Sequence, residues 1–296
     1  MLQPPTDSND SAIEGMAAGS LHPHLLSSGI FLKSWASTGA DPPNGASINY
    51  WLKESQQNIK IIITDSNSDT IKTINEKGSK GINRLWWDFK GESTDEIILR
   101  TKPQFAEWVS LGDERKRKLP FSISILSPPG VYNINLILGD EVITKSLEVM
   151  KDPHSDGDME DIMLQDNLMR KIYDDINITA HYINSIEIIR RQLLDLKSMI
   201  SNTSKDESLI LTVEKLEEQF LNVEKKLVQL KETGTGQDDV RFEKMIGEKL
   251  AYLAGNVPNA DFRPADSYYE VYDLLHKRLE EVGLEYDNLR NKDLKN

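Results

Sequence analysis

The chain of 296 residues is acidic, with 35 lysines and arginines against 48 aspartates and glutamates and a formal net charge of −13. This balance argues against a nucleic-acid-binding surface, and the absence of cysteine excludes disulfides, thiol catalysis and thiolate metal ligands. No stretch approaches eighteen consecutive apolar residues, which excludes a membrane-spanning helix.

Residues 1–40 are polar at their start and rich in proline and serine, and we expect them to be an irregular N-terminal segment. They show no basic stretch followed by an apolar core, so no signal peptide is predicted. Neither feature settles the compartment in which the protein works.

Residues 41–151 are predicted to form an antiparallel β domain because their apolar residues alternate with polar ones. In SINYWLK, for example, Ile48, Tyr50 and Leu52 share one face, while Trp51 lies on the other. Gly139 and Asp140 suit the tight turn of a type II′ hairpin. Seven or so short strands at this spacing predict an immunoglobulin-like β-sandwich.

Two adjacent tryptophans stand in the stretch GINRLWWDFKGE, residues 81–92. Because successive strand side chains point to opposite faces, only one of the two can enter the core of the domain. The alternation assigns Trp87 to the core and Trp86 to the outer face. Trp86 then needs a cover, which the 102–129 loop, the helices or a partner could supply.

Residues 158–292 are predicted to form a bundle of three or four helices, so the fold class is α+β in two domains. The clearest heptad-like seam lies within residues 206–232, with spacings of four and three that place seven apolar side chains on one stripe. These seven are Leu209, Val213, Leu216, Phe220, Val223, Leu227 and Leu230. The stripe fits packing inside an up-down-up bundle, or self-association with a partner helix.

The acidic segment DPHSDGDMEDIM, residues 152–163, is the best metal candidate. It matches a calcium-binding loop poorly, because His154 and Met163 would stand at the third and twelfth ligand positions. A linker in which Asp158 and Asp161 cap the first helix is favoured. No phosphate-binding motif or other close cluster of metal ligands appears, so neither a cofactor nor a metal site is expected.

Candidate catalytic and binding residues are few. Asp88, beside Trp87, is a tempting carboxylate for glycoside hydrolysis, but small sandwiches rarely assemble an acid and a nucleophile, so no catalytic residue is predicted. Exposed indoles stack well on sugar rings. Trp51, Trp86 and Trp108 are therefore the candidate contacts for a carbohydrate or for a neighbouring domain.

A series of motifs, among them DPPNGASINYWLK, KGINRLWWDFKGE and SPPGVYNINLILGDEVITKSLEVMKDPH, occurs in order along the chain. It resembles the region after the β-propeller in bacterial glycosyl-hydrolase-like proteins with neuraminidase-type (BNR, or Asp-box) repeats, which are related to sortilin-like propellers. The resemblance covers roughly residues 40–290. It implies an immunoglobulin-like sandwich followed by a helical bundle, and an exported protein, periplasmic or extracellular.

The sandwich motifs also resemble the immunoglobulin-like domain of flagellar hook-capping proteins. That resemblance implies that Trp87 anchors the core and that Asp88 turns the chain out of its strand. It also implies that Gly130 and Tyr132 start the penultimate strand.

The propeller that the glycosyl-hydrolase name refers to has no counterpart here, since no Asp-box repeat is present. We therefore expect a non-catalytic accessory region that supports, caps or dimerises a β-propeller, whether as part of a longer protein or as a separate chain. Two alternatives stay open. One is a carbohydrate-binding module that uses the exposed aromatic residues, and the other is a helical protein–protein interaction module.

Overall fold

The protein is described by a computed structural model as a mixed α+β fold of antiparallel sheets and helices. Gly45–Asn296 belong to one compact unit. The predicted irregular segment, residues 1–40, lies outside the described residues. The structure describes residues 44–106, 108–109, 115–116, 122–203, 206–234 and 236–292.

The first part of the chain contains ten described strands, all paired antiparallel. They are β1 (Ala46–Leu52), β2 (Gln56–Thr64), β3 (Thr70–Gly78), β4 (Gly81–Trp87), β5 (Lys90–Ser93), β6 (Ile98–Leu99), β7 (Arg115–Lys116), β8 (Ser124–Leu126), β9 (Gly130–Leu138) and β10 (Glu141–Val149). The largest sheet has the order β10-β9-β2-β3, and the pairs β1–β4, β5–β8 and β6–β7 are separate.

One hydrophobic core lies between the four-stranded sheet and the β1–β4 pair. Ile59, Ile61 and Ile63 of β2 are buried on one face and meet Trp87 at the end of β4. Alternation produces this layer, because it gathers the apolar side chains of each strand on a single face. The β9–β10 hairpin turns at Gly139, whose φ of 60° is a left-handed conformation that glycine adopts without strain, as the sequence predicts.

The second part of the chain is helical. Its helices are α1 (Met159–Asn202), α2 (Glu207–Leu227), α3 (Asp238–Arg241), α4 (Ile246–Asn256) and α5 (Asp266–Lys292), with a 3₁₀ turn at Val257–Asn259. Asp158 caps α1 and Asp206 caps α2 by accepting hydrogen bonds from free backbone N–H groups of the first turn. Among the described residues, no helix is both long and apolar enough to cross a membrane.

Most of the predicted seam of α2 packs within the chain's own helical region, although Leu209 at its start is 43% exposed. Phe220, Val223 and Leu227 pack in one core with side chains of α1, α4 and α5. These three side chains are therefore not free to form a seam with another molecule. The helix ends at Leu227, before the predicted limit near residue 232, and the following Val228 is extended.

The middle of helix α1 is also hydrogen-bonded to the strand segment at residues 95–101. Asn177 accepts the backbone N–H of Asp95, Asn184 accepts that of Ile98, both at 2.8 Å, and Glu187 accepts that of Thr101 at 2.7 Å. The three acceptors are spaced by seven and three residues, so they share one helix face. This ladder fixes the helical region to the β-structure through directional bonds as well as apolar contact.

Candidate functional site

The outer face of the β1–β4 pair carries the most exposed aromatic surface of the β-structure. Trp51 lies directly opposite Ile82 in the strand register, and their side chains are 66% and 82% exposed. Trp86 lies further along the same face, opposite Ser47, and is 38% exposed. We call Trp51, Ile82 and Trp86, together with the polar pair between them, the outer tryptophan face.

The polar pair at the centre of this face is Asn49 and Arg84. They are directly opposite each other, and the Arg84 Nε donates to the Asn49 Oδ1 at 2.7 Å. Trp86 lies four residues beyond the position paired with Trp51, which corresponds to roughly 13 Å along the strand. The face therefore presents two indoles with hydrogen-bonding groups between them.

Trp87 lies on the opposite side of β4 and is only 1% exposed. Its ring makes edge-to-face contacts with Phe89 and Tyr132, both with centroids 5.3 Å apart, and its Nε1 donates to the Lys90 carbonyl. Gly45 packs so closely that a Cβ there would come within 2.0 Å of the Trp87 carbonyl oxygen. The adjacent tryptophans thus have separate surroundings, which follow from the alternation of the strand.

The remaining signature residues lie at the ends of strands. The Asp88 carboxylate accepts the backbone N–H of Lys90 at the turn after β4, and Asp88 is exposed. Gly130 is the first residue of β9, and the buried Tyr132 donates its hydroxyl to the Pro128 carbonyl at 2.6 Å. These contacts all shape the chain, and a role for Asp88 in hydrolysis stays without support from its surroundings.

Trp108 does not belong to the outer tryptophan face. It is 62% exposed and lies over Gly234, where a Cβ would come within 2.9 Å of the indole. Nearby in sequence, the ring of Phe105 stacks on that of Phe242, with centroids 6.5 Å apart. The structure therefore brings together two of the three predicted contact tryptophans and places the third beside the segment after α2.

The acidic segment at residues 152–163 joins β10 to α1 as a linker. Asp158 accepts the backbone N–H of Asp161 at 2.9 Å as the N-cap, and Asp161 itself pairs with Arg263 at 3.0 Å. Asp152 accepts the backbone N–H of His154 in a local turn. No group of three potential metal-ligating side chains occurs within the part of the chain that the structure describes.

A buried cluster of charged side chains is the main feature that was not anticipated from the sequence. Arg190 of α1 donates to Glu187 at 3.2 Å, to Glu217 at 2.8 Å and to Glu224 at 2.5 Å. It also donates to the Thr101 hydroxyl at 3.0 Å, and that hydroxyl donates to Glu187 at 2.6 Å. The cluster joins α1, α2 and the strand segment at one point inside the protein.

Glu187, Arg190 and Glu224 were detectable in principle. Glu187 and Arg190 are three residues apart on α1, and Glu217 and Glu224 are seven apart on α2, so each pair lies on one helix face. Charges that repeat directly beside an apolar seam, as Glu217 and Glu224 do, can form a buried polar contact. The pattern is weak, because the chain contains 48 acidic residues and most charged side chains on helices are solvated.

Burial raises the pKa of Glu224 well above its ordinary range, and the neighbouring Glu187 carboxylate adds to this rise. Glu224 therefore keeps its proton to a higher pH in the folded protein than in the unfolded chain. The stabilisation linked to this proton is complete below the unfolded pKa. It is lost as pH rises from there toward the raised folded pKa.

Substitution Glu224→Gln is expected to reduce the loss of stability that occurs as pH rises above the pKa of this carboxyl group in the unfolded chain. Glutamine is neutral at every pH, can accept from Arg190 and can donate to Glu187. Between the pKa values of the unfolded and folded carboxyl group it therefore removes a pH dependence of the free energy of unfolding of about 1.4 kcal/mol per pH unit. Urea unfolding followed by circular dichroism at several pH values measures this slope. Glu218→Gln, an exposed neighbour, should leave it unchanged. A Glu224→Gln slope identical to that of the parent protein would refute the assignment.

Comparison of the chain with protein-family models, with curated proteins and with solved structures found no match. The resemblance to glycosyl-hydrolase-like proteins therefore stays a prediction.

Proposed function

We propose that this protein is a non-catalytic accessory region that docks on a β-propeller of the glycosyl-hydrolase-like family through its outer tryptophan face. The single observation that carries the proposal is the exposure of Trp51, Ile82 and Trp86 together on one side of β1–β4. Exposed apolar groups gathered on one face are typical of protein contacts. Tryptophan is also among the residues that contribute most to binding energy at interfaces.

The finer architecture in this proposal is an immunoglobulin-like β-sandwich at residues 41–151 and an up-down-up helical bundle at residues 158–292. The sandwich is supported by the core that β1–β4 shares with the four-stranded sheet. The bundle is supported by the three long helices α1, α2 and α5. In this arrangement the outer tryptophan face belongs to the sandwich.

A supporting role requires the accessory region to hold its docking face in a fixed position. The ladder from α1 to residues 95–101 and the charge cluster around Arg190 supply directional contacts between the helices and the β-structure. A partner bound to the sandwich would therefore also be held in a defined place relative to the helices.

The docking test uses the purified chain and a purified β-propeller domain of the resembled family from the same organism, with binding followed by calorimetry. Trp51→Ala is expected to weaken binding by about 2 kcal/mol or more, roughly thirtyfold, because it removes a large anchor from the interface. Ile82→Ala should also weaken it, while Trp108→Ala, an equally exposed tryptophan off the face, should not. Absence of binding, or equal losses at Trp51 and Trp108, would reject the proposal.

The arrangement of polar groups supports carbohydrate binding as the second candidate function. The Asn49–Arg84 pair lies between the two indoles, so a short sugar chain could stack at both ends and form hydrogen bonds in the middle. Titration with oligosaccharides discriminates the two functions. Quenching of tryptophan fluorescence that disappears in Trp86→Ala and persists in Trp108→Ala would favour the sugar over the propeller.

A further inference from the structure

A cavity of about 390 Å³ lies where the loop after β6 meets α1 and the end of α2. The size falls within the range of sites for small organic ligands. Its lining includes apolar side chains on one side, Leu221, Val228, Leu230 and Met245. We call it the lysine-rimmed cavity because of the three lysines around it, Lys102, Lys225 and Lys231.

The three lysines come from three different segments: the loop after β6, the last turn of α2 and the strand-like stretch that follows α2. All three are exposed, and none forms an ion pair with a carboxylate among the described residues. Three other lysines of the helical region, Lys197, Lys226 and Lys249, do pair with carboxylates, as Lys226 does with Glu285 at 2.5 Å. The rim thus gathers positive charge in a chain whose net charge is −13.

The floor of the cavity carries side chains of both signs. Glu187 and Arg190 line it together, and Arg190 also pairs with Glu217 and Glu224, neither of which lines the cavity. The oxygens of Glu187 are already occupied by the backbone N–H groups of Arg100 and Thr101, the Thr101 hydroxyl and Arg190. Lys102 and Lys225 are exposed at the rim, and the Nζ of Lys231 lies over the ring of Phe242, 5.7 Å from its centroid.

The loop that forms one wall is fixed in place. Gln104 forms a parallel bridge with Lys231, and the Gln104 carbonyl accepts the backbone N–H of Glu232 at 3.1 Å. Gln229 is held by Glu248, which accepts its backbone N–H at 3.0 Å. Because the walls are formed in the free protein, a ligand would bind without ordering them first.

We infer that the lysine-rimmed cavity binds a small organic anion, with its carboxylate or phosphate group among Lys102, Lys225 and Lys231 and its apolar part against Leu221 and Met245. The cavity is formed by different residues from the outer tryptophan face. The inference therefore stands or fails independently of the proposed docking function.

The test measures binding of 1-naphthyl phosphate and 1-naphthoate to the full chain by calorimetry at low salt, where charge contacts are least screened. A dissociation constant on the order of 1 mM or tighter is expected for at least one of them, and the comparison distinguishes phosphate from carboxylate recognition. Neutral 1-naphthol should bind at least about tenfold more weakly. Lys225→Gln and Lys231→Gln should each weaken binding about fivefold, as expected for loss of one exposed charge contact.

The matched control is Lys226→Gln, because Lys226 is adjacent to Lys225 but pairs with Glu285 and does not line the cavity. It should bind the probe as the parent protein does. Urea unfolding of each variant verifies that the fold is intact. Equal binding of 1-naphthol, equal losses at Lys225 and Lys226, or no saturable binding up to about 10 mM would each overturn the inference.

Discussion

Replacement of Arg190 by methionine is expected to lower the free energy of unfolding by about 3–5 kcal/mol. Methionine fills a similar volume but leaves Glu187 buried without its positive partner, and it removes the donor to Glu217 and Glu224. Loss of the positive partner of a buried carboxylate is far more costly than loss of a surface ion pair, because the protein interior solvates the charge poorly. The effect should be large although the substitution keeps the apolar contacts of the side chain.

The neighbouring arginine is the control. Arg191 pairs with Asp195 one turn along α1, at 2.9 Å, and the two side chains are 28% and 57% exposed, far more than those of the Arg190 cluster. Arg191→Met should therefore cost no more than about 1 kcal/mol. Urea unfolding followed by circular dichroism compares the two variants. Similar losses for both would show that the cluster around Arg190 contributes no more than a surface ion pair.

Substitution Trp87→Ala is expected to destabilise the protein by about 3–5 kcal/mol through the cavity that it leaves. The indole is buried between the four-stranded sheet and β1–β4, in edge contact with Phe89 and Tyr132. The surrounding strands are fixed by their ladders and cannot close this space completely. The lost contacts are therefore not recovered by repacking.

Trp86→Ala is the matched control for this substitution, since it removes the same side chain from the adjacent position on the opposite face. Its cost should stay below about 1 kcal/mol, because the indole of Trp86 is partly solvated. Circular dichroism at increasing urea concentration measures both variants independently of tryptophan emission. Equal costs would contradict the assignment of Trp87 as the core anchor.

Much of the secondary structure was predictable because its signals are local. Alternation in SINYWLK and GINRLWW marks strands with one buried face, and β1 and β4 show that pattern residue by residue. Positive φ at Gly139 and the cap at Asp158 lie where the sequence predicts a turn and a helix start. Each of these features depends on a few neighbouring residues.

The end of α2 shows where local signals fail. The apolar stripe continues to Leu230, yet the helix ends at Leu227. The reason is tertiary: Gln229 donates its backbone N–H to Glu248 of α4, and the following residues pair with Gln104. A helical pattern cannot report on partners that the chain finds elsewhere in the fold.

The same limit applies to the candidate sites. The exposure of Trp51 and Trp86 on one side follows from strand alternation, but their common face depends on the pairing of β1 with β4. The charge cluster forms only because distant parts of the chain meet. Arg190 contacts Glu224, 34 residues later in the sequence, and Thr101, 89 residues earlier. Trp108 shows the opposite case. Its residue type groups it with Trp51 and Trp86, but the fold places it away from them.

By itself the amino-acid sequence determined that strands precede helices, which side of each strand is buried, and that Trp87 rather than Trp86 enters the core. Periodicity and turn chemistry act over a few residues, so they can be read without the fold. Only the tertiary structure decided which faces meet, which charges are buried together and which lysines surround a cavity. Those outcomes depend on contacts between distant segments, and many different pairings satisfy the same local pattern.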